Sequence, residues 1–178
     1  LHNAGKLAIT GGKDDTVRIW ETNQTTAQAV LRGHLSAVSV LALNPGGSIL
    51  ASGSLDGTVI FWDIKEKKLL KSSKVTGKGS VKSLVFHPNE NILAIGGEDG
   101  SLQFRDLTEM KLQFKLPHHK KAVTSLDFNL EGDLFVSSSE DGKLIVWDWG
   151  ARKQRFGVDI KDPITDLIIH PVRNEMAL

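Results

Sequence analysis

Short runs of alternating apolar and polar residues recur along the chain, and each run predicts a β-strand. In the second run Val59 and Phe61 are two residues apart, so their side chains share one face of a pleated strand. The opposite face of the runs is mixed in character and carries Arg18, Ile60, Gln103 and Ile145. An aspartate opens every run, in DDTVRIWE at Asp14, DGTVIFWD at Asp56, DGSLQFRD at Asp99 and DGKLIVWD at Asp141.

Turn residues separate these runs from other short strands. The Asp-Gly pairs at 56, 99 and 141 each connect a run to an upstream strand, which is a strong β-hairpin signal. The upstream strands are predicted at Ile49 to Gly53, Leu93 to Gly97 and Leu134 to Ser138. An outer strand around Lys68 to Ser72, with its counterparts, brings each unit to four short strands. No window has a convincing helical period, so the chain is predicted to be all-β.

The strands belong to an internal repeat. The four aspartates follow one another at steps of 42, 43 and 42 residues. A second register lies upstream of them, with steps of 43, 42 and 41 residues. It reads VSVLALNP from Val38, VKSLVFHP from Val81, VTSLDFNL from Val123 and ITDLIIHP from Ile164. Two registers with the same period indicate a repeat architecture.

Composition narrows the possible functions. The 178 residues include no cysteine, which excludes a disulfide framework, a thiolate zinc site and a cysteine nucleophile. The formal net charge of +1 disfavours bulk attraction to nucleic acid or to an acidic membrane. No apolar stretch approaches the ~18 residues of a membrane span, and residues 1–12 lack the pattern of a signal peptide. We therefore expect a soluble intracellular protein, in the cytoplasm, with a nuclear location left open.

The repeat resembles that of the WD-repeat family of β-propellers, whose units have about 40–45 residues, a Gly-His near the start and a Trp-Asp at the end. Gly33-His34 stands at the Gly-His position, Trp62-Asp63 and Trp147-Asp148 match the closing dipeptide, and Trp20-Glu21 is a near match. The resemblance covers essentially the whole chain. It implies an all-β WD-repeat propeller with four-stranded antiparallel blades.

The period also predicts where the blades lie. The chain length corresponds to a little over four units, whereas the family commonly has seven blades. We therefore expect an incomplete propeller whose remaining blades come from the same longer chain. The predicted limits are a partial blade over 1–31, blades over about 32–74, 75–116 and 117–159, and a partial blade over 160–178.

The resemblance further implies a buried, hydrogen-bonded set of His, Ser or Thr, Asp and Trp within each blade. One blade has His34, Ser52, Asp56 and Trp62 at these positions, and another has His119, Ser137, Asp141 and Trp147. The first, partial unit keeps Thr10, Asp14 and Trp20. The blade between the two complete sets has Gly77, Ile95, Asp99 and Arg105. Its core is expected to depend on apolar packing, and its tip to be less rigid.

The same residue types also occur in catalytic and metal sites. His34, Ser52 and Asp56 have the residue types of a hydrolase triad, but the arrangement recurs at the structural period, where a single catalytic site would occur once. A structural role is therefore preferred. His118-His119 has no further ligand residues at a suitable spacing, so no metal site is predicted, and no cofactor either.

Two groups of lysines are interpreted as solvated surface. Lys65, Lys67, Lys68 and Lys71 lie in a predicted outer strand. Lys120 and Lys121 join His118 in a small basic tip, for which docking of an acidic partner is the alternative.

The function that follows from the resemblance is a non-catalytic scaffold that recruits or positions other proteins within a multiprotein complex. Loops at one rim of the blades are the expected contact surface. Leu55 is the leading candidate, because it is an apolar residue in a hairpin turn. The other rim candidates are Lys13, Leu35, Lys78, Glu98, Lys121 and Glu140. Direct binding of a membrane or of nucleic acid is not predicted.

A narrower resemblance concerns the runs FHPNENILAIGGEDGSLQFRDL and VWDWGARKQRFGV, which are similar to late blades of the regulatory subunit of katanin, a microtubule-severing complex. It implies a role at the cytoskeleton. A substrate receptor or a subunit of an RNA-processing complex is the alternative. A hydrolase that uses His34, Ser52 and Asp56 ranks last.

Overall fold

The structure is a computed structural model that describes residues 6–117 and 119–170. This part of the chain forms fifteen β-strands and contains no helix that is long and apolar enough to cross a membrane. The strands are β1 (Leu7–Gly11), β2 (Thr16–Glu21), β3 (Ala27–Arg32), β4 (Val38–Leu43), β5 (Ile49–Ser54), β6 (Thr58–Asp63), β7 (Lys68–Lys74), β8 (Val81–Phe86), β9 (Ile92–Gly97), β10 (Leu102–Asp106), β11 (Lys111–Leu116), β12 (Val123–Phe128), β13 (Leu134–Ser139), β14 (Lys143–Asp148) and β15 (Lys153–Asp159).

Consecutive strands pair antiparallel in four separate sheets, each of which is an up-and-down meander. The strand orders are β1-β2-β3, β4-β5-β6-β7, β8-β9-β10-β11 and β12-β13-β14-β15. Three sheets therefore have the four strands predicted for each repeat, and the first has three among the described residues. The prediction of an all-β chain with four-stranded antiparallel units is confirmed.

The chain divides into two compact units, residues 1–81 and 82–178. Strands β1 to β7 belong to the first unit and β9 to β15 to the second, while β8 begins at the boundary.

In the first unit, the first sheet packs against the second through an apolar layer. Val17 and Ile19 of β2 are fully buried in the same cluster as Ile60 and Trp62 of β6. The equivalent face is mixed in residue type across the four runs, and in β6, where it carries Ile60, it is part of the core. The alternation is weak because both faces of β6 are buried, and a strand buried on both faces has no polar side.

The second unit repeats this arrangement between its two sheets. Leu102 and Phe104 of β10 belong to one buried cluster with Ile145 and Trp147 of β14. The Phe104 ring also meets the Phe135 ring edge-on, with 5.2 Å between the ring centroids. The contact between these two sheets therefore combines the β10 face that carries Leu102 and Phe104 with the β14 face that carries Ile145 and Trp147.

A β-bulge interrupts the outer strand of every sheet at the same point. The register shifts between Phe61 and Trp62, and at the three equivalent positions of the other sheets. Each bulge leaves one residue of the outer strand without a partner opposite it, and these residues are Gln28, Leu70, Gln113 and Arg155. Bulges of this kind bend a strand and make a sheet edge a poorer template for pairing.

The Asp-Gly hairpins require glycine for a conformational reason. Gly100 has a φ of +80°, a left-handed backbone that residues with a Cβ rarely adopt. A Cβ at this position would also overlap the carbonyl oxygen of His119, whose own N–H donates to the Gly100 carbonyl oxygen at 3.0 Å. The glycine therefore allows close approach between a hairpin turn and the segment that carries a histidine.

Replacement of this glycine should destabilise the fold. We expect Gly100→Ala to lower the free energy of unfolding by about 1–2 kcal/mol from backbone strain, with a further loss from the displaced His119 segment. Denaturant unfolding of the intact protein measures the change. Gly46→Ala is the matched control, since a Cβ there has no neighbour closer than 3.8 Å and the φ is not positive. Equal stability of the two variants would contradict the requirement.

Candidate functional site

Four side chains from separate elements meet inside the second sheet. His34 lies in the segment between β3 and β4, Ser52 is on β5, Asp56 is in the β5–β6 turn, and Trp62 is on β6. The His34 Nε2 is 2.7 Å from the Ser52 hydroxyl oxygen, and the Trp62 indole N–H donates to that oxygen at 2.8 Å. The imidazole, the hydroxyl and the indole are all buried. The structure thus brings the first predicted set together.

A residue outside the predicted set completes this hydrogen-bond chain. The Thr58 hydroxyl donates to the Asp56 carboxylate at 2.6 Å and lies 3.0 Å from the His34 Nδ1. Because its proton is committed to the carboxylate, the Thr58 oxygen accepts from Nδ1–H. The neutral imidazole then has a bare Nε2, which accepts the Ser52 hydroxyl proton. His34 and Asp56 themselves are 3.7 Å apart, so threonine mediates their contact.

The second complete set is arranged in the same way in the fourth sheet. The His119 Nε2 is 2.8 Å from the Ser137 oxygen, and the Trp147 indole N–H donates to that oxygen at 3.0 Å. Lys143 stands where the first set has Thr58, so no hydroxyl is available to mediate. The His119 Nδ1 contacts the Asp141 carboxylate directly, at 3.4 Å.

The two aspartates hold exposed loops to the hairpin turns. Asp56 accepts the Leu35 backbone N–H at 2.8 Å, and Asp141 accepts the Lys120 backbone N–H at the same distance. Burial alone would raise the pKa of Asp56, but hydrogen bonds from Thr58 and Leu35 hold it below the ordinary value of 3.8. Hydrogen bonds from the Lys120 and Lys143 backbones likewise keep the pKa of Asp141 below 3.8.

Burial favours the neutral form of both imidazoles. Burial lowers the pKa of His34 below its ordinary value of 6.5, and the nearby Asp56 carboxylate only partly opposes the shift. Burial lowers the pKa of His119 in the same way, against the attraction of Asp141. A neutral ring with one donor and one acceptor is the form that both hydrogen-bond chains require.

The first sheet keeps part of the arrangement. The Trp20 indole N–H donates to the Thr10 hydroxyl at 2.9 Å. Asp14 accepts from the Thr16 hydroxyl at 2.9 Å and from the Arg18 guanidinium. These hydrogen bonds lower the pKa of Asp14 below 3.8. The residues of the partial set therefore occupy equivalent strands and make equivalent contacts.

The third sheet differs from the two complete sets, as its sequence does. Ile95 and Arg105, which replace serine and tryptophan, lie on β9 and β10 and are both buried. Burial lowers the pKa of the Arg105 guanidinium, and its Nε has no hydrogen-bond partner within the described residues. The core of this sheet, expected to depend on apolar packing, thus also contains a buried cation. Asp99 keeps its turn function and accepts from the Ser101 N–H and hydroxyl, at 3.1 and 2.6 Å.

The sequence contains a signal for Thr58, which the predicted set does not include. A hydroxyl residue follows the turn aspartate by two positions in three of the four runs, at Thr16, Thr58 and Ser101. In each case the hydroxyl donates to that aspartate, at 2.9, 2.6 and 2.6 Å. The pattern Asp-x-Thr or Asp-x-Ser is typical of side chains that cap a turn, and it identifies Thr58 as a member of the first set.

The geometry of the serines differs from that of a nucleophile. Ser52 and Ser137 have no exposed surface, and an indole N–H already occupies each hydroxyl oxygen. A catalytic serine needs an oxygen that a substrate can reach. Among residues 6–117 and 119–170, no group of three His, Cys, Asp or Glu side chains is placed to hold a metal ion. His118, considered as a ligand and as part of the basic tip, lies outside the described residues.

Four of the proposed rim residues lie at one end of the sheets of the first unit. Leu55 is in the β5–β6 turn and donates its N–H to the Ala37 carbonyl at 3.0 Å, next to Leu35. The β1–β2 turn that carries Lys13 is tied to the start of β4 by a 3.0 Å bond from the Val38 N–H to the Gly12 carbonyl. Lys78 lies in the loop after β7, which bonds to Gly57. Leu35 is 88% exposed and Leu55 50% exposed.

The other three rim residues lie at one end of the sheets of the second unit. Glu98 is in the β9–β10 turn, and Glu140 is in the β13–β14 turn. The Glu140 N–H donates to the Ala122 carbonyl at 3.0 Å, which places Lys121 beside it. All three side chains are exposed. The charges of this group are mixed, whereas the first unit presents two leucines and two lysines.

Acidification should destabilise the protein in two steps. The unfolded chain binds protons on these histidines more readily than the folded chain does, so stability falls as the pH drops below about 6.5. Protonation of Asp56 and Asp141 adds a second loss below about pH 4. Urea unfolding of the intact protein between about pH 8 and about pH 5 measures the first step. The His34→Gln/His119→Gln variant should be less stable at the higher pH and show a flatter dependence, and an unchanged slope would contradict the assignment.

Comparison with known proteins agrees with this repeated geometry. The rice (Oryza sativa subsp. japonica) small ribosomal subunit protein RACK1y is 37% identical over 62 residues, which is 35% of this chain and 18% of that protein. The Schizosaccharomyces pombe target of rapamycin complex subunit wat1 is 26% identical over 170 residues, or 96% of this chain and 41% of that protein. The Neurospora crassa eukaryotic translation initiation factor 3 subunit I is 34% identical over 68 residues, or 38% of this chain and 20% of that protein. The aligned segments thus cover less than half the length of each of these curated relatives.

The repeat itself matches a known family four times. The matched segments are residues 1–21, 25–63, 68–106 and 110–148, and each of them ends at or just after the run that follows a turn aspartate. The resemblance inferred from the Gly-His and Trp-Asp residues is confirmed. Because these segments cover well over half of its length, the chain belongs to the WD domain, G-beta repeat family.

Proposed function

We propose that this chain is part of a non-catalytic scaffold on which rim loops bind other proteins. One observation carries the proposal: Asp56 and Asp141 each bind the backbone of an exposed loop, at Leu35 and at Lys120, while their hairpins are anchored to a buried imidazole. Loops held this way present side chains in a defined position without ordering on binding. Preorganisation of this kind lowers the entropic cost of association.

The names of the relatives support membership of an assembly. They describe a protein of the small ribosomal subunit, a subunit of the target of rapamycin complex and a subunit of translation initiation factor 3. Each name is that of a component in a larger complex. We propose that the present chain acts in the same general way, as an intracellular subunit whose partners are proteins.

The rim of the first unit is the stronger candidate for partner contact. Leu35 and Leu55 expose apolar surface at adjacent loop positions, where a solvated turn would carry polar residues. Lys13 and Lys78 lie at the same end. In the second unit, Glu98, Lys121 and Glu140 form a mixed-charge surface that favours orientation of a partner over affinity.

The buried sets have a structural role in this proposal. His34, Ser52 and Trp62 are enclosed, as are His119, Ser137 and Trp147, and their hydrogen bonds satisfy one another. Buried polar groups need such partners whether or not the protein catalyses a reaction. The hydrolase alternative would need a substrate to displace the indole from each serine.

A finer role at microtubules rests on the two sequence runs that are similar to the katanin regulatory subunit. A substrate receptor or an RNA-processing subunit is compatible with the same scaffold. The predicted blade limits and a total of seven blades remain predictions for the whole protein.

Loss of the serine from a His-Ser-Asp-Trp set should lower stability and leave function otherwise intact. We expect Ser52→Ala to lower the free energy of unfolding by about 2–3 kcal/mol, because the Trp62 N–H and the His34 Nε2 lose their buried partner together. Differential scanning calorimetry of the intact protein measures the loss. Ser48→Ala, at an exposed position with one weak 3.3 Å contact, should stay within about 0.5 kcal/mol of the wild type. A stable Ser52→Ala protein that lost an esterase activity of the wild type would support the hydrolase instead.

Rim substitution should remove partners selectively. We expect Leu55→Glu to leave the melting temperature unchanged and to reduce capture of a defined group of proteins when the intact protein is isolated from cells. Quantitative mass spectrometry compares it with wild type and with Leu130→Glu. Leu130 is 60% exposed in the β12–β13 turn, so it matches the substitution without lying on the rim. Identical losses in both variants, or none in either, would contradict the rim assignment.

A further inference from the structure

The outer strand of the second sheet is far more basic than the outer strands of the other sheets. Counted with the turn that precedes it, β7 has a net charge of +4, while β3, β11 and β15 have +1, +1 and +2. The basic residues, which we name the lysine edge, are Lys65, Lys67, Lys68, Lys71 and Lys74. The acidic residue among them is Glu66.

Within the described part of the chain, the lysine edge forms no ion pair. None of the ion pairs in residues 6–117 and 119–170 includes any of these five lysines. Lys74 donates to the backbone carbonyl of Asp56, which leaves its charge unbalanced. By contrast, Lys111 of β11 pairs with Glu109 at 3.0 Å. Four of the five lysines are exposed, and Lys71 is half-buried.

An apolar anchor lies within this charged surface. The bulged residue of β7 is Leu70, which is 40% exposed, and Leu69 beside it is 44% exposed. The equivalent bulged residues of the other outer strands are Gln28, Gln113 and Arg155. A bulge turns its extra residue away from the regular ladder. Leucine at this position therefore places an apolar side chain where the other sheets have a polar one.

Protection of the sheet edge does not explain these residues. Lysines on an edge strand do prevent edge-to-edge aggregation, but the other three outer strands are protected by the same bulge with one or two net charges. An exposed leucine pair works against such protection. The combination of unpaired lysines and an apolar anchor is better matched by a binding surface.

The side chains of the lysine edge indicate which class of anionic partner the surface binds. Binding of single-stranded nucleic acid relies on exposed aromatic side chains on which the bases stack, and arginine is the favoured residue for bidentate contacts with phosphate. The aromatic residues nearest the edge, Phe61 and Trp62, are buried, and the chain has no arginine between Arg32 and Arg105. Lysine binds carboxylates as a point charge, and leucines accept an aliphatic side chain. These properties fit an acidic protein segment with an apolar residue in its centre.

We propose that the lysine edge, with Leu69 and Leu70, docks an acidic segment of a partner protein. The segment lies along β7 with its carboxylates on the lysines and its apolar residue on the leucine pair. Lys65, Lys67, Lys68 and Lys71 and the leucine pair are not rim residues, so the proposal goes beyond the scaffold function proposed above. Of the lysine edge, Lys74 reaches the rim, where it donates to the Asp56 carbonyl beside Leu55. A partner bound there leaves Leu35 and Leu55 available to another protein.

A peptide of about twelve residues matches the length of the edge, because an extended chain rises about 3.3 Å per residue. The probe is a Glu-rich peptide with two central leucines, and fluorescence anisotropy measures its affinity for the intact protein. Binding should weaken as the salt concentration rises from about 0.05 M to about 0.3 M. The same peptide with serines in place of leucines should bind several-fold more weakly.

Two variants test the contributions of the lysines and of Leu70. The substitutions Lys65→Gln, Lys67→Gln, Lys68→Gln and Lys71→Gln together should weaken binding about tenfold, at a fraction of a kcal/mol for each exposed pair. Leu70→Gln, which introduces the residue found in two other bulges, should weaken it about threefold. The charge-matched control combines Lys111→Gln, Lys115→Gln, Lys153→Gln and Arg155→Gln on β11 and β15, and it should bind the peptide as the wild type does. Leu55→Glu should also bind normally, which separates this test from that of the rim.

Hydrogen exchange locates the bound peptide independently of the variants. Protection should be confined to the β6–β7 turn and β7. The proposal is overturned if the peptide fails to bind at low salt, if both four-site variants lose affinity equally, or if protection lies elsewhere. It is also overturned if a single-stranded RNA of similar length or phosphatidylserine vesicles bind more tightly than the peptide with the same dependence on the four lysines.

Discussion

The hydrogen bond between a buried imidazole and a buried serine hydroxyl holds together the end of the sheets where the rim loops lie. It connects three segments that are far apart in sequence: the loop that carries the histidine, the second strand of the sheet and, through the indole N–H, the third strand. The remaining ring nitrogen reaches the turn aspartate, directly or through Thr58. Loss of the serine therefore leaves both the buried indole N–H and the buried ring nitrogen without their partner.

The two complete sets show that the arrangement tolerates variation at its outer end, where the histidine contacts the turn aspartate. Thr58 mediates between His34 and Asp56 in one sheet, and Lys143 at the equivalent position leaves His119 to contact Asp141 directly. The inner end, from imidazole to serine to indole, is the same in both. Burial is complete at the inner end and partial at the carboxylate, so the energetic penalty for an unsatisfied group is largest where the geometry is conserved between the sets.

The third sheet shows a different solution. Its isoleucine and arginine remove the serine and the indole, yet Asp99 still closes its hairpin and Gly100 still receives the His119 segment. Hairpin geometry is therefore independent of the buried chain. What this sheet lacks is the serine and the indole that connect the two complete sets to their cores. In the outer strands, too, backbone geometry is independent of the side chain. The same bulge occurs in all four sheets, but the bulged residue is apolar only in β7, where it is Leu70.

The sequence by itself determined the strands, the repeat and the membership of the two complete sets, because these follow from periods of two and of about 42 residues and from residue types at fixed spacing. It did not show that the face carrying Ile60 and Ile145 is buried, since a period of two cannot show that both faces of an inner strand are covered. It also passed over Thr58 and Leu70. The contact of Thr58 with His34 depends on how a distant loop folds onto the hairpin, and the exposure of Leu70 depends on a shift in strand register. Those features arise from contacts between segments distant in the chain, which only the tertiary structure decided.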